Sequence, residues 1–398
     1  MPSPSPVGRC VLLAEEVWGT TLHAMRSVDR VGGQALVVTA GEGAEIYRRS
    51  RSCGGALDVL VDDPVAFCGE VRRWVDTNWP GDDPVAVIPL SDRLVEWLLL
   101  GGDEFGDRYR LGVPSQEVAA DLLDKARQFR VAERADVAPP PWTEVRDEAD
   151  VDGLAELRPP LAIRPTGWDA AGEDYFKLIV APDGDSARAA VRDRLASGAA
   201  LIVQEYVDAP ADAVEFAMVW RSRTSDRLDV CTGRKRAQSG ADGGVMAWGE
   251  AVDLPDVADA ARRFVETSGF VGLGGIEVIR SGGTLWFIEF NPRLEAIHFL
   301  ATQAGIDTVA CEFLELVGRA VPPPVAQQPA AAWVGSAWLQ RLTTDRSAWR
   351  QAVRDRLAFA RARHGVRAVW SWRDPAPGLA VTARIAQRGL RSRTGGSR

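Results

Sequence analysis

Gly274-Gly275-Ile276-Glu277-Val278-Ile279-Arg280-Ser281-Gly282-Gly283-Thr284-Leu285-Trp286-Phe287-Ile288-Glu289-Phe290-Asn291-Pro292-Arg293 reads as two strands of alternating residues joined by a glycine-containing turn, a strong hairpin signal. One parity holds Ile276, Val278, Trp286, Ile288 and Phe290 and is expected to bury; the other holds Glu277, Glu289 and Asn291. Register decides whether the two carboxylates meet, because a one-residue slip sends a side chain to the opposite face. A two-residue Gly282-Gly283 loop would set Glu277 opposite Ile288, with Glu289 facing away. A loop of odd length, with one glycine left-handed, would put both carboxylates on one face, and this is the expectation. Two carboxylates and an amide oxygen would then converge as a hard-oxygen set suited to Mg²⁺ carrying substrate phosphates. The plain alternative is a solvated hairpin face with acidic side chains.

A chain of 398 residues with 46% hydrophobic content exceeds one small core, so two or three packed domains are expected. The net charge of −8 argues against a general nucleic-acid binder, whose phosphate contacts need clustered Lys and Arg. No stretch approaches the roughly 18 apolar residues of a membrane span, and Met1-Pro2-Ser3-Pro4-Ser5-Pro6 lacks the regions of a signal peptide. A cytoplasmic protein without a membrane partner is expected. Cys10, Cys53, Cys68, Cys231 and Cys311 show no C-x-x-C spacing and read as small buried residues. Three dispersed histidines do not suit a His-based metal centre, and no G-x-S-x-G marks a serine nucleophile.

Upstream of the hairpin, the spacing of Val257, Ala261, Phe264 and Val265 predicts a helix over 257–268, after a glycine-rich segment at 240–244. Asp229 to Arg236 reads as a strand ending in Arg234, Lys235 and Arg236, a triplet more often solvated than functional. Ala213 to Trp220 and Leu201 to Val207 read as strands around a turn at Pro210. Leu161 to Ile163 and Phe176 to Val180 form two more, with Arg164 and Lys177 near a glycine-containing loop; this is either a flap over phosphates or a surface hairpin. A helix over 186–197 follows them. Ser115 is placed to cap a helix running through Leu122, Asp124, Lys125 and Phe129 to about Ala135, and Pro139-Pro140-Pro141 then breaks the chain.

Earlier still, apolar runs at 9–14, 34–39, 57–61 and 85–89 alternate with helical patterns, which predicts a parallel sheet with helices on both faces. Ligands of such sheets sit beyond the carboxyl ends of the strands, here Glu15 to Gly19 and Leu90 to Arg93. No G-x-G-x-x-G follows the first strand, which weakens a dehydrogenase reading. Downstream of the hairpin, His298 to Val317 reads as one helix and Val321-Pro322-Pro323-Pro324 as a linker. A tryptophan-rich appendage and an Arg-rich tail complete the chain.

This ordered set resembles the ATP-grasp superfamily, nearest to its D-aspartate ligase-like predicted carboxylate-amine ligases. The likeness rests on the Rossmann-like start, Asp124-Lys125, Arg164-Pro165, Gln204-Glu205-Tyr206-Val207, Gly233-Arg234-Lys235-Arg236, Glu277, Glu289 with Asn291-Pro292-Arg293, and Asp374-Pro375-Ala376-Pro377. It implies an α/β fold of four parts: a Rossmann-like domain at 1–111, a linker helix and flap at 112–204, a catalytic subdomain with an antiparallel sheet at 205–320, and a small extension at 321–398. It implies ATP and Mg²⁺ as cofactors, with Glu277, Glu289 and Asn291 as metal ligands. Lys125, Arg164 and Lys177 would meet the phosphates, Gln204, Glu205, Tyr206 and Val207 the adenine, and Asp212, preferred over Glu215, the ribose. Lys235 and Arg236 would face the transferring phosphate, and Arg293 that phosphate or the acyl carboxylate; strand alternation sends Arg234 away from Lys235.

The activity implied is ATP-dependent joining of a small-molecule carboxylate and an amine through an acyl phosphate, with a homodimer left open. A catalytically silent nucleotide-binding module and a bicarbonate-using carboxylase are the alternatives. Substrate selection is expected at the first-domain loops, with Trp168, Trp248 and His298 as further candidates.

Overall fold

The computed structural model describes residues 6–15, 18–167, 176–239, 244–338, 349–362 and 364–384. Strands β1 (Arg9–Ala14), β2 (Gln34–Ala40), β3 (Cys53–Val59), β4 (Val85–Pro89) and β5 (Tyr109–Leu111) form a parallel sheet in the order β3-β2-β1-β4-β5. Helices α1 (Trp18–Arg30), α2 (Ala44–Tyr47), α3 (Pro64–Asn78) and α4 (Asp92–Gly101) connect them. The strands are apolar at both parities because both faces are covered. Leu12, Met25 and Val28 pack on one side, Val11, Leu13, Phe67 and Val71 on the other. The order reverses at β1, so the crevice between β1 and β4 is the switch point where such sheets bind ligands. Asp92 opens α4 there.

A single helix was expected through Asp124; the structure breaks it. Helix α5 (Gln116–Leu123) is capped by Ser115, and Asp124, extended at φ −103° and ψ 120°, caps α6 (Lys125–Arg134) by accepting from the Arg127 N–H at 2.9 Å. The carboxylate competes for amides that the helix leaves unbonded, so the chain restarts with Lys125 in a first turn. A four-stranded antiparallel sheet follows, in the order β6 (Trp142–Val145), β9 (Leu201–Glu205), β7 (Leu161–Pro165), β8 (Ile179–Ala181), backed by α7 (Gly184–Ala196). The loop between β7 and β8 lies partly outside the described residues, and with it Trp168.

The third sheet has seven strands in the order β14-β13-β10-β11-β12-β15-β16. These are β10 (Val214–Arg221), β11 (Leu228–Gln238), β12 (Met246–Ala251), β13 (Gly272–Ser281), β14 (Thr284–Asn291), β15 (Ala330–Trp333) and β16 (Gly365–Arg367). Helix α8 (Pro255–Ser268) and α6 cover one face through Phe129, Phe264, Phe287 and Phe290. Part of the other face is covered by α9 (His298–Gln303) through Leu300 on Phe216 and Met218. The single helix expected over 298–317 is two, α9 and α10 (Thr308–Leu316). Gly305, at φ 96°, turns the chain, and Asp307 caps the second helix.

The hairpin corrects the expected turn. Its loop has two residues, Gly282 and Gly283, both at positive φ (59° and 81°), and Ser281 pairs with Thr284. Glycine adopts two such conformations in succession at no steric cost. Taken alone, that register would leave Glu277 opposite Ile288. A β-bulge intervenes: Val278 pairs with Phe287, yet Glu277 pairs with Glu289 and Gly275 with Asn291. Ile288 is the extra residue, so both carboxylates reach one face despite the even loop. The same slip buries Phe287 and leaves Trp286 and Ile288 only half-buried, contrary to the simple alternation.

Asp374 folds the chain end back onto the first sheet, accepting from Ser50 Oγ at 2.6 Å, the Arg51 N–H at 3.2 Å and Arg26 at 3.1 Å. Among the described residues, no helix is long and apolar enough to cross a membrane.

Candidate active site

The four-stranded and seven-stranded sheets enclose a cavity of about 450 Å³. One end is apolar, with Ala162, Val180, Val207, Val214 and Ile279. The other is charged, with Arg164, Lys177, Lys235, Glu277 and Glu289. A second cavity of about 210 Å³ shares Arg164, Lys177 and Glu289 with it and adds Lys125, Gln128, Asn291, Arg293 and Asp92. Arg164, Lys177 and Glu289 therefore form a seam between two spaces.

The bulge builds that seam. Arg164 donates from Nη1 to the Ile288 carbonyl at 3.3 Å and from Nη2 to the Glu289 carboxylate. It takes up a carbonyl displaced from the regular ladder and a charge at once. Burial alone would raise the Glu289 carboxyl, but Arg164, Lys125, Lys177 and Lys235 hold it well below the usual carboxylate range. Lys235 reaches Glu277 at 2.6 Å across the sheet face. Burial and the neighbouring Arg164 pull the Lys125 ammonium down from its ordinary value. Arg293 donates to Asp92 at 2.6 Å and to Asn291 Oδ1 at 3.1 Å, joining the end of the hairpin to the switch point of the first sheet. Among the described residues no group of three His, Cys, Asp or Glu side chains is placed to hold a metal ion by itself. A metal here would be held by the two carboxylates and the amide of Asn291 with oxygens from elsewhere.

At the apolar end Gln204 lines the cavity, and its Oε1 is buried without a partner. Glu205 points elsewhere, accepting from the Arg158 N–H at 3.0 Å, and the Tyr206 N–H is taken by the Pro160 carbonyl at 2.9 Å. Tyr206 and Val207 still line the wall. Arg234 turns to Glu215, as strand alternation implies, and Arg280 meets the same carboxylate. Glu215 is thus fully engaged away from the cavity. Arg236 is placed with Glu250 at 2.9 Å and Asp212 at 3.5 Å, and neither Arg236 nor Asp212 lines either cavity.

Gln128 and Glu295 escaped the sequence, and Asp92 was read only as part of the Leu90 to Arg93 loop. Gln128 pairs with β14 as a strand would, donating to the Phe290 carbonyl and accepting from the Phe290 N–H, each at 2.9 Å. It secures an edge strand that would otherwise present open backbone groups. Asp92 was within reach of the parallel-sheet rule, although only the fold pairs it with Arg293. Glu295 follows no periodicity at all. Trp248 packs with Trp333 and Phe359 away from the cavities, and His298 is buried under Glu295.

Solved structures match this architecture over most of the chain. N5-carboxyaminoimidazole synthetase from Staphylococcus aureus, complexed with ADP, superposes with a TM-score of 0.63 at 13% identity over 86% of both chains. A biotin carboxylase complex from Campylobacter jejuni gives 0.63 at 14%, over 81% of this chain and 74% of that one. L-amino acid ligase from Bacillus licheniformis gives 0.58 at 14%, over 81% and 79%. The fold is ATP-grasp.

No protein-family model matches the chain. Two curated proteins match in part: pyruvate carboxylase of Staphylococcus aureus, 33% identical over 95 residues (22% of this chain), and ribonuclease Z of Mycobacterium avium, 28% over 198 (45% of this chain). The matches span 8% and 62% of those proteins. Within the ATP-grasp fold, the site's own chemistry has to carry the functional argument.

Proposed function

We propose that the chain is an ATP-dependent carboxylate-amine ligase that activates a small carboxylate as an acyl phosphate and transfers it to an amine, releasing ADP and phosphate. The observation that carries this reading is the seam of Arg164, Lys177 and Glu289 between a cavity with an apolar end and a smaller polar one. A nucleotide matches the first in its division into an apolar base and charged phosphates. The orphaned Gln204 Oε1 offers an acceptor for an adenine amino group.

The second cavity, with Arg293 and Lys125, suits the carboxylate. Glu277, Glu289 and Asn291 fit Mg²⁺, which when bound supplies charge neutralisation at phosphate oxygens. Lys125, Arg164, Lys177 and Lys235 surround the place where the transferring group would sit, stabilising its charge and fixing its direction. Arg293, held by Asp92, orients the acyl acceptor. An acyl phosphate has a good leaving group, so an amine attacks it without any protein nucleophile, consistent with the missing G-x-S-x-G. Glu205, Arg236 and Asp212 are proposed only to shape the surroundings.

The test is Mg²⁺-dependent ADP release that requires both a carboxylate and an amine, screened over pairs of amino acids by mass spectrometry. AMP as the product overturns the acyl-phosphate route. The likeness to biotin carboxylase and the partial match to pyruvate carboxylase favour a second reading, a bicarbonate-using carboxylase. ADP release driven by bicarbonate without an amine would select it.

A further inference from the structure

Asp92 and Arg293 come from different sheets and meet in the smaller cavity. Asp92 opens α4 at the carboxyl end of β4, where the first sheet changes direction, and Arg293 follows the end of β14. Arg293 Nε donates to Asp92 Oδ1 at 2.6 Å, and its Nη2 donates to Asn291 Oδ1 at 3.1 Å. Arg293 Nη1 and Asp92 Oδ2 take no partner among the described residues. Both side chains line the cavity with part of their surface open, 19% for the arginine and 34% for the aspartate.

The pair therefore presents a positive and a negative edge side by side to one small space. A carbon that carries both an ammonium and a carboxylate matches this, because covalent geometry sets its nitrogen and its carboxyl carbon about 2.5 Å apart. A carboxylate without an ammonium would set its charge beside that of Asp92 with nothing between them, and such like-charge contacts cost binding free energy.

The rest of the wall accounts for the third substituent. Leu122 packs into the core against the seven-stranded sheet. Leu123, the next residue and half-buried, belongs to none of the apolar clusters of the described residues and lines the cavity with Pro165. Arg164 and Lys177 form the side that meets the larger cavity. The volume of about 210 Å³ equals about seven waters' share of the liquid, and covalently joined atoms pack closer, so an acid of about seven to ten non-hydrogen atoms fits.

We propose that the acid this chain activates is a small α-amino acid with an apolar side chain, held as its zwitterion by the Arg293–Asp92 pair. The assignment rests on the ligase reading. Arg293 Nη1 donates to one carboxylate oxygen. The other oxygen faces the seam and bonds to the terminal phosphorus of ATP, ADP leaving with the electron pair of the bond that breaks. The ammonium donates to Asp92 Oδ2, and the side chain lies on Leu123 and Pro165. Asp92 is thus the residue that selects amino acids over other acids.

The experiment uses the whole chain with ATP, Mg²⁺ and hydroxylamine, which captures the acyl phosphate as a hydroxamate whatever amine the protein normally takes. Each common amino acid, in both mirror forms, is set against the same acid lacking its amino group, such as propionate for alanine and isocaproate for leucine. Wild-type protein is expected to favour an amino acid between alanine and leucine in size over its partner by about 10²-fold or more in kcat/KM, since a site built to pair with a substrate N–H rejects the analogue that lacks it. Asp92→Asn should cut that ratio below about tenfold, chiefly by raising KM for the amino acid, and Asp92→Glu, which keeps the charge, should restore most of it. A residue that only propped Arg293 would weaken both acids alike. Equal use of the two acids by wild type, a proportional loss of both in Asp92→Asn, or best turnover with a charged side chain overturns the assignment while the ligase reading stands. Wild-type protein that makes neither hydroxamate nor ADP from any acid overturns the ligase reading, and the assignment with it.

Discussion

Two ends of one sheet face treat their carboxylates in opposite ways. At the seam, Glu277 and Glu289 are each met by a cation. A few residues further along, Glu295 is buried against Gly275 with an oxygen that meets nothing. At the seam the cations hold negative charge in place. The difference teaches that acidic residues placed over one sheet face differ in charge state according to whether the fold gives each one a cation.

Glu289→Gln tests the charged end most severely. It removes metal charge stabilisation and should cut turnover by several orders of magnitude with the fold intact by circular dichroism; near-normal turnover would dissolve the contrast. Arg164→Met should come next, leaving Glu289 and the Ile288 carbonyl without their partner. A loss of about 3 kcal/mol is expected in denaturant titration, with nucleotide turnover lowered as well.

The two ends should also respond to pH with opposite sign. Glu289 is depressed when folded, so its contribution is present at neutral pH and is lost as pH falls below the usual carboxylate range. Glu295 is raised to about 8 from 4.5, so the folded state holds a proton that the unfolded chain has lost, and stability drains as pH rises between those values. Urea titrations at several pH values should therefore show Glu295→Gln gaining on wild type as pH rises. A constant difference would mean that Glu295 is not buried as described. The smallest effect is expected from Gln204→Leu, which should raise the KM for ATP by about 3–10-fold, the worth of one neutral hydrogen bond, and leave kcat nearly unchanged.

Much of this was legible in the chain. The parallel sheet shows because strands covered on both faces must be apolar throughout, as in Cys10 to Leu13 and Val85 to Ile88. The hairpin shows through its alternation and its glycines. Its register does not, because a bulge at Ile288 is set by what Arg164 and the cavity require of that carbonyl, and nothing in the local pattern announces it. The break at Asp124 was hidden for a related reason, a side chain competing with the helix for its amides. Lys125, Arg164, Lys177, Lys235 and the hairpin acids were named from the sequence and do converge. Arg236 and Asp212 face each other instead, and Glu295 became visible only once Gly275 was seen beneath it.

The first sheet borrows part of its cover from far along the chain. Phe313 and Val317, in and just after α10, lie in the same apolar cluster as Leu12, Met25 and Val28, and Phe313 sits so close to Gly33 that a Cβ there would be 2.4 Å from it. During synthesis the first strands must therefore emerge and wait, with α1 and α2 covering only part of one face, until some two hundred further residues have been made. A fragment ending at Leu111 would lack Phe313 and Val317 and would carry an exposed apolar patch where they pack, so the piece that looks self-contained on paper is incomplete by itself.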